Sequence, residues 1–352
     1  MTTVHGGLDL AELRSLDLRP EQVLDFSANI NPLGPSQRVR QAVDAVNLSA
    51  YPDRQSVALR EELAARLGVG TENLLVGNGS TEFIHLLART CLQSQERCLI
   101  FAPTFGEYEA AASMVGADVR FFRARETEGF SWSVDAAVDA IKHVRPKMVF
   151  LCNPNNPTGI YIDASDVKRA SKAVGTGGLV VLDEAYVSLT DWSWGSNPLL
   201  DTGNIAILRS MTKDHALAGV RLGYMMAQPN VVSAVQHLQP AWSVNAIAQE
   251  VGIAALKDEA HVAAARKIIN QAKDYLCREL DLLGVPVIPS AANFVLARVR
   301  NAAKVRKALL VRGIAVRDCT SFGLPEHIRI AVRRPEECAR LVGLLEEVLG
   351  HE

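Results

Sequence analysis

Apolar positions along the chain fall into two textures. From about Ser56, the stretch VALREELAARLGV spaces apolar residues three and four apart, which predicts a helix with one buried face. Beyond it, short apolar runs alternate with further helical patterns. Strands are predicted at 73–78 (NLLVGN), 97–103 (RCLIFAP), 118–124 (DVRFFRA), 147–154 (KMVFLCNP), 178–185 (GLVVLDEA), 204–210 (NIAILRS) and 221–227 (RLGYMMA). Several are continuous Val/Ile/Leu runs, as expected of strands covered on both faces. Strands alternating with helices predict crossover units and a mostly parallel sheet sandwiched by helices, an α/β fold.

After about Trp242 the texture changes. A long helical segment with a break runs from Val244 to about Leu283. GVPVIPSAANFVLARV then reads as a hairpin-like pair of strands, followed by a helix, GIAVRDC, HIRIAVR and a last amphipathic helix over 335–349. That pattern predicts a small α+β domain. The first forty residues, with HGG at 5–7 and NINPLGP at 29–35, read as an extended arm with turns. The expected division is an arm over 1–40 that packs on the small domain and the substrate site, a large domain over 41–243 and a small domain over 244–352.

Composition narrows the function classes. The chain has 352 residues, a formal net charge of −2, 48% hydrophobic and 22% charged residues, an ordinary globular balance. No basic surplus exists to meet a phosphate backbone, so nucleic acid is not an expected partner. Six scattered cysteines form no CxxC pair and no zinc spacing, so no metal is expected and a reduced, cytoplasmic setting is. No signal peptide is read at the N-terminus, and no apolar stretch reaches membrane-spanning length.

Five polar or glycine-rich stretches follow predicted strands: GNGSTE, APTFGEY, CNPNNPTG, DEAY and SMTK. Ligands of open parallel sheets sit at such ends, so one site is expected there. In GNGSTE, glycines precede a helix. Its backbone N–H groups with the Ser80 and Thr81 hydroxyls make an anion site, or else a plain glycine turn capped by one hydroxyl with Glu82 in the first helical turn. In CNPNNPTG, Asn156 offers an amide donor at a strand end, or belongs to a structural loop. Asp183 and Glu184 close an apolar run. A buried carboxylate needs a cationic partner, either an internal salt bridge or a protonated ring nitrogen held by Asp183, with Tyr186 in reach. Lys213 stands among small residues near a strand end, where desolvation lowers a lysine pKa and makes it a nucleophile. Ser210, Thr212 and Arg221 around it suit a phosphate.

Together these describe a ligand with a basic ring nitrogen, a hydroxyl beside a carbonyl, and a phosphate: pyridoxal 5′-phosphate. In order and spacing, GNGSTE, PTFGEY, NPNNPTG, DEAY, SMTK and the arginine at Lys+8 resemble the fold-type I pyridoxal-phosphate enzymes of the class I/II aminotransferase group. By that resemblance Lys213 is the Schiff-base lysine and Asp183 holds the pyridine nitrogen. Asn156 and Tyr186 hold the ring hydroxyl, Phe105 stacks on the ring, and Ser80, Thr81, Ser210, Thr212 and Arg221 bind the phosphate. It also implies a homodimer with shared active sites, in which Tyr51 reaches the partner's cofactor. Arg329 matches the arginine that grips a substrate carboxylate, which suits a bidentate fork.

At finer level, HGG with DFSANINPLGP, PAWSVNAIA and AVRDCTSFGLPEHIRIAVR look most like threonine-phosphate decarboxylase of the cobalamin pathway. That branch implies a lyase that forms aminopropanol phosphate, with His5, Asn29, Asn156, Arg317 and Arg329 handling the substrate's phosphate and carboxylate. The competing branch is histidinol-phosphate aminotransferase, working with 2-oxoglutarate on the same lysine. A non-catalytic pyridoxal-phosphate-binding protein is a third reading, opposed by the presence of both Arg317 and Arg329. In all of these the ligand is a small phosphorylated amino acid or amine.

Overall fold

The computed structural model describes residues 5–190 and 193–350. The arm is more structured than its sequence suggests. It holds a short helix α1 (Leu10–Ser15), a two-residue strand β1 (Leu24–Asp25) and the helix α2 (Gln37–Asp44). Both helices start locally: the Asp9 carboxylate accepts from the backbone of Ala11 and Glu12, and the Ser36 hydroxyl from Val39. Such side-chain caps satisfy orphan N–H groups and let a short segment turn helical without a long apolar period.

Next come α3 (Val57–Leu67), β2 (Leu74–Gly77), α4 (Ser80–Cys91), β3 (Arg97–Ala102), α5 (Glu107–Met114), β4 (Asp118–Arg123), α6 (Val134–Val144) and β5 (Met148–Cys152). These are followed by α7 (Ala164–Val174), β6 (Leu179–Asp183), β7 (Ile205–Ser210), α8 (Met211–Asp214), β8 (Gly223–Met226) and α9 (Pro229–Leu238). The seven strands form one sheet in the order β2-β8-β7-β6-β5-β3-β4. All run parallel except β8, which pairs antiparallel with both β2 and β7. Strands β2, β5, β6 and β8 are buried at every position, which is why they read as unbroken apolar runs. One face packs on Leu59, Leu63, Val167 and Val251, the other on Phe83, Leu87, Tyr108 and Val235.

The remaining elements are α10 (Ala246–Leu256), α11 (Glu259–Leu282), β9 (Val287–Ile288), β10 (Phe294–Arg298), α12 (Ala302–Leu310), β11 (Ile314–Ala315), β12 (Arg317–Asp318), β13 (His327–Ala331) and α13 (Pro335–Gly350). The break expected in the long helical segment lies between α10 and α11. Strands β12-β13-β10-β9 make a second, four-stranded sheet. Its core is shared with α11, α12 and α13 through Ile269, Leu276, Val305 and Leu341. Strand β1 pairs in parallel with β11, so the arm joins this C-terminal unit through its backbone.

Candidate active site

Because β2, β3, β5, β6 and β7 run the same way, the five polar stretches leave the sheet at one edge. There they surround a cavity of about 520 Å³. Ser80, Thr81, Phe105, Asn156, Asp183, Tyr186, Ser210, Thr212, Lys213 and Arg221 all line it, as do His5, Asn29 and Arg329.

At one end, Gly79 turns with φ +76° and Ser80 opens α4. The free N–H groups of a helix start favour an anion. No side chain caps α4 at Gly79, so the hydroxyls of Ser80 and Thr81 are not used as caps, and Glu82 Oε2 accepts from the backbone of Asn78 at 2.7 Å. Ser210 Oγ and Thr212 Oγ1 are 2.6 Å apart. The Arg221 guanidinium lies over the turn: a Cβ on Gly79 would sit 2.7 Å from Nη2. Hydroxyls, backbone amides and a guanidinium thus converge on one spot.

In the middle lie Asp183 and Lys213. Burial pushes Asp183 up to about 6, although hydrogen bonds from the Tyr108 hydroxyl (2.8 Å) and the Ala185 N–H (3.0 Å) oppose the rise. Burial, with Arg329 and Arg221 nearby, pulls Lys213 down to about 8. The neighbouring Glu184 takes the other role foreseen for DEAY. It is fully buried and salt-bridged to Arg209 at 2.7 Å, with Ser196 donating to the same oxygen. The asparagines also divide their work. Asn155 bonds Thr104 and Pro103, tying the β5 loop to the β3 loop, Asn153 bonds Ile162, and Asn156 alone of the three lines the cavity.

The far end is cationic. Arg329 donates to Asn156 Oδ1 and, at 2.6 Å, to the carbonyl of Ser27, while its Nε is buried without a partner. Among the described residues no carboxylate pairs with it. Tyr186 is buried edge-on to Phe294 and within 3.4 Å of Asn29 Nδ2, while Asn29 Oδ1 has no partner. Burial raises the Tyr186 hydroxyl pKa. Lys213, Arg221 and Arg329 outnumber Asp25 and Asp183 among the lining residues, so the cavity favours anions.

Two expected residues do not line it. Arg317 lies directly across from Arg329 in the β12–β13 pair, but its guanidinium turns to the Asp318 carbonyl and Ser321 Oγ and lies 5.3 Å from the Phe322 ring centre. Tyr51 is 83% exposed and stacks on Trp242 at 4.9 Å. Sequence reasoning missed Tyr108 and Glu107, although both belong to the quoted PTFGEY stretch. It also missed Cys152, which lies beside Tyr108 and Asp183 with its thiol pushed up to about 12 by burial.

Comparison with known proteins places this arrangement. The description "aminotransferase class I and II" matches residues 21–345. The chain belongs to that family. Pyridoxal 5′-phosphate is the family's cofactor, as expected from the motifs. Among curated relatives, the histidinol-phosphate aminotransferase of Symbiobacterium thermophilum is 37% identical over 338 residues, covering 95% of this chain and 92% of its own. That of Anaeromyxobacter sp. is 38% identical over 337 residues, covering 93% and 91%. A solved histidinol-phosphate aminotransferase from Clostridium acetobutylicum is 27% identical with a TM-score of 0.86, covering 94% of this chain and all of that one.

These relatives overturn the expectation of a lyase of the cobalamin pathway. An L-threonine-O-3-phosphate decarboxylase, from Porphyromonas gingivalis, is found among solved structures at 28% identity and TM-score 0.80, covering 92% of this chain and 99% of that one. The curated relatives at 37–38% identity are named as transferases. The structure shows why the arm motifs misled. Asn31 of SANINPLGP donates from its backbone to the Lys213 carbonyl at 2.9 Å and from Nδ2 to the Asp214 carbonyl at 2.8 Å. His5 of HGG bonds Glu107. These residues brace the site, and bracing does not select which bond of the substrate breaks.

Among the described residues no group of His, Cys, Asp or Glu could hold a metal ion, and no helix is long and apolar enough to cross a membrane.

Proposed function

We propose that this protein is a pyridoxal-phosphate-dependent aminotransferase that moves the amino group of a phosphorylated amine, histidinol phosphate, to 2-oxoglutarate. The observation that carries this is the pairing, in one cavity suited to anions, of a lysine drawn down to about 8 with a buried carboxylate, Asp183, and two arginines, Arg221 and Arg329. The names of the relatives at 37–38% identity support the choice of substrate.

The donors suit the cofactor. The start of α4, Ser80, Thr81, Ser210, Thr212 and Arg221 would hold its phosphate, Phe105 its ring face, Asn156 and Tyr186 its hydroxyl, and Asp183 its ring nitrogen. When bound, this cofactor supplies a conjugated ring that accepts the electron pair released at a substrate Cα. Asp183, held as a carboxylate by Tyr108 and the Ala185 amide, keeps the proton on the ring nitrogen and so favours that charge. Lys213 Nζ, drawn down to about 8 so that a substantial neutral fraction exists there, takes the proton from substrate Cα as general base. The Arg329 fork orients the carboxylate of 2-oxoglutarate and of glutamate.

The enzyme is proposed to act as a cytoplasmic homodimer. Supporting this are the exposed stack of Tyr51 on Trp242, beside the 77% exposed Leu48, and the six cysteines, all free thiols. The test is to mix purified enzyme, cofactor, histidinol phosphate and 2-oxoglutarate and measure glutamate. Wild type should form glutamate and be fixed to its cofactor by borohydride. Lys213→Ala should do neither. Absence of glutamate with wild type defeats the reading.

A further inference from the structure

Two imidazoles share one carboxylate beside the cavity, and transamination as derived above uses none of the three. His5 Nε2 is 2.9 Å from Glu107 Oε1, and His85 Nε2 is 2.8 Å from Oε2. Glu107 opens α5 and is buried, His85 lies on α4, and His5 belongs to the arm. An ionised carboxylate only accepts hydrogen bonds, so both rings present an N–H at Nε2. That orientation leaves the other edge of the His5 ring, with Nδ1, for a ligand.

The arm around His5 runs as a strap over residues 5–7. The His5 ring packs 5.5 Å from Phe105, a cavity residue. Gly6 passes so close that a Cβ there would lie 2.2 Å from the Ser27 carbonyl and 3.1 Å from Arg329 Nη2. The Gly7 N–H donates to Ser27 Oγ at 2.8 Å. The strap therefore spans the cavity from the α4–α5 pair to Ser27 and Arg329. Ordering such a segment costs backbone entropy, and the His5–Glu107 bond, the His5–Phe105 ring contact and the Gly7–Ser27 bond help to offset it.

We propose that Glu107 and His85 are positioning residues for substrate binding. They hold His5, and with it the strap, across the cavity so that the His5 ring, as an imidazolium that keeps its Nε2–H on Glu107, donates its Nδ1–H to the phosphate of the substrate. The identity of that substrate rests on the function proposed above; the latch itself does not.

The experiment compares holoenzyme of wild type, Glu107→Ala, Glu107→Gln and His85→Ala. Amide hydrogen exchange is followed in the peptide containing residues 5–8, with and without inorganic phosphate, beside steady-state kinetics. Glu107→Ala and His85→Ala should raise exchange in the strap while leaving α5 and the sheet protected. They should raise KM for histidinol phosphate about tenfold, the size expected when a charged hydrogen bond is lost. KM for 2-oxoglutarate, which carries no phosphate, should stay within about twofold, as should kcat. Glu107→Gln keeps the shape and one acceptor and should fall between. Phosphate should protect the strap in wild type and not in Glu107→Ala. That comparison decides the latch even if histidinol phosphate proves not to be a substrate. Wild-type exchange in all variants, or a loosened strap with unchanged KM and unchanged phosphate protection, overturns the proposal.

Discussion

The Tyr108 hydroxyl donates to Asp183 Oδ2 at 2.8 Å, and the phenol lies flat on Phe150, ring centres 4.9 Å apart. A buried carboxylate is thereby held by a phenol that is itself buried. Burial raises the Tyr108 pKa well above its ordinary value, with the Asp183 charge adding to the rise, so this group donates and does not ionise. Tyr108→Phe should push the Asp183 pKa higher and lower kcat/KM by about 10- to 100-fold, the range for a hydrogen bond to a charged group. A kcat/KM equal to wild type, with an unchanged pH dependence of the cofactor absorbance, would remove Tyr108 from the site's chemistry.

Lys213 and Asp183 should each destabilise the cofactor-free chain at neutral pH. Lys213 titrates near 8 when folded against an ordinary 10.5. The unfolded chain holds more protons on it between those values, so stability rises with pH there. Below 8 the full penalty of up to ~3 kcal/mol stands. Asp183 titrates near 6 against an ordinary 3.8. Here the folded chain holds more protons, so stability falls as pH rises through that window, and a penalty of up to ~3 kcal/mol stands above 6. Cofactor-free Lys213→Met is therefore expected to melt several degrees above wild type at pH 7, with the gain shrinking as pH passes from 8 toward 10.5. Thermal melts across that range check it; a variant that melts lower at pH 7 refutes the lysine's assigned burial.

Arg329→Lys replaces a two-pronged donor with a point charge. The bonds to Asn156 and Ser27 cannot both survive, and a carboxylate loses its bidentate partner. KM for 2-oxoglutarate should rise about 10- to 100-fold, with covalent attachment of the cofactor at Lys213 retained. Initial rates at varied 2-oxoglutarate, with borohydride trapping beside them, give both answers.

Gly223 has backbone on two sides: a Cβ there would lie 2.6 Å from the Ser80 nitrogen and 2.8 Å from the Arg209 carbonyl. Gly223→Ala should cost about 1–3 kcal/mol in stability, as overpacking does, and weaken cofactor binding by shifting the start of α4. Gly219→Ala, with nothing within 4 Å of its Cβ position, should leave both unchanged. Melting temperature and cofactor titration separate the two.

The large sheet was legible because burial on both faces writes itself into the sequence as runs such as MVFLC and LVVLD. The gathering of the polar stretches at one cavity was legible for a related reason: each sits just past a strand, where parallel topology brings them together. The helices α1 and α2 were not, since they depend on single caps at Asp9 and Ser36 and on a few contacts. The orientation of Arg317 was not legible, because its position on β12 does not reveal that its guanidinium bonds Ser321 Oγ. Tyr108 and Glu107 were missed because their partners, Asp183, His5 and His85, lie in other segments. The choice of reaction failed because the arm motifs that suggested it hold backbone around the lysine, a duty common to either chemistry.

The bonds from Asn31 to the carbonyls of Lys213 and Asp214, and from Arg329 to that of Ser27, have a consequence for biogenesis. Translation delivers the arm first and β13 among the last strands. A chain still on the ribosome can therefore hold all seven strands of the large sheet while the lysine loop lacks its brace, because the arm that supplies it is anchored by β11 and Arg329. A nascent chain stalled before β11 would carry the seven strands of the large sheet while the arm that bonds the Lys213 and Asp214 carbonyls through Asn31 had not yet found its partner strand.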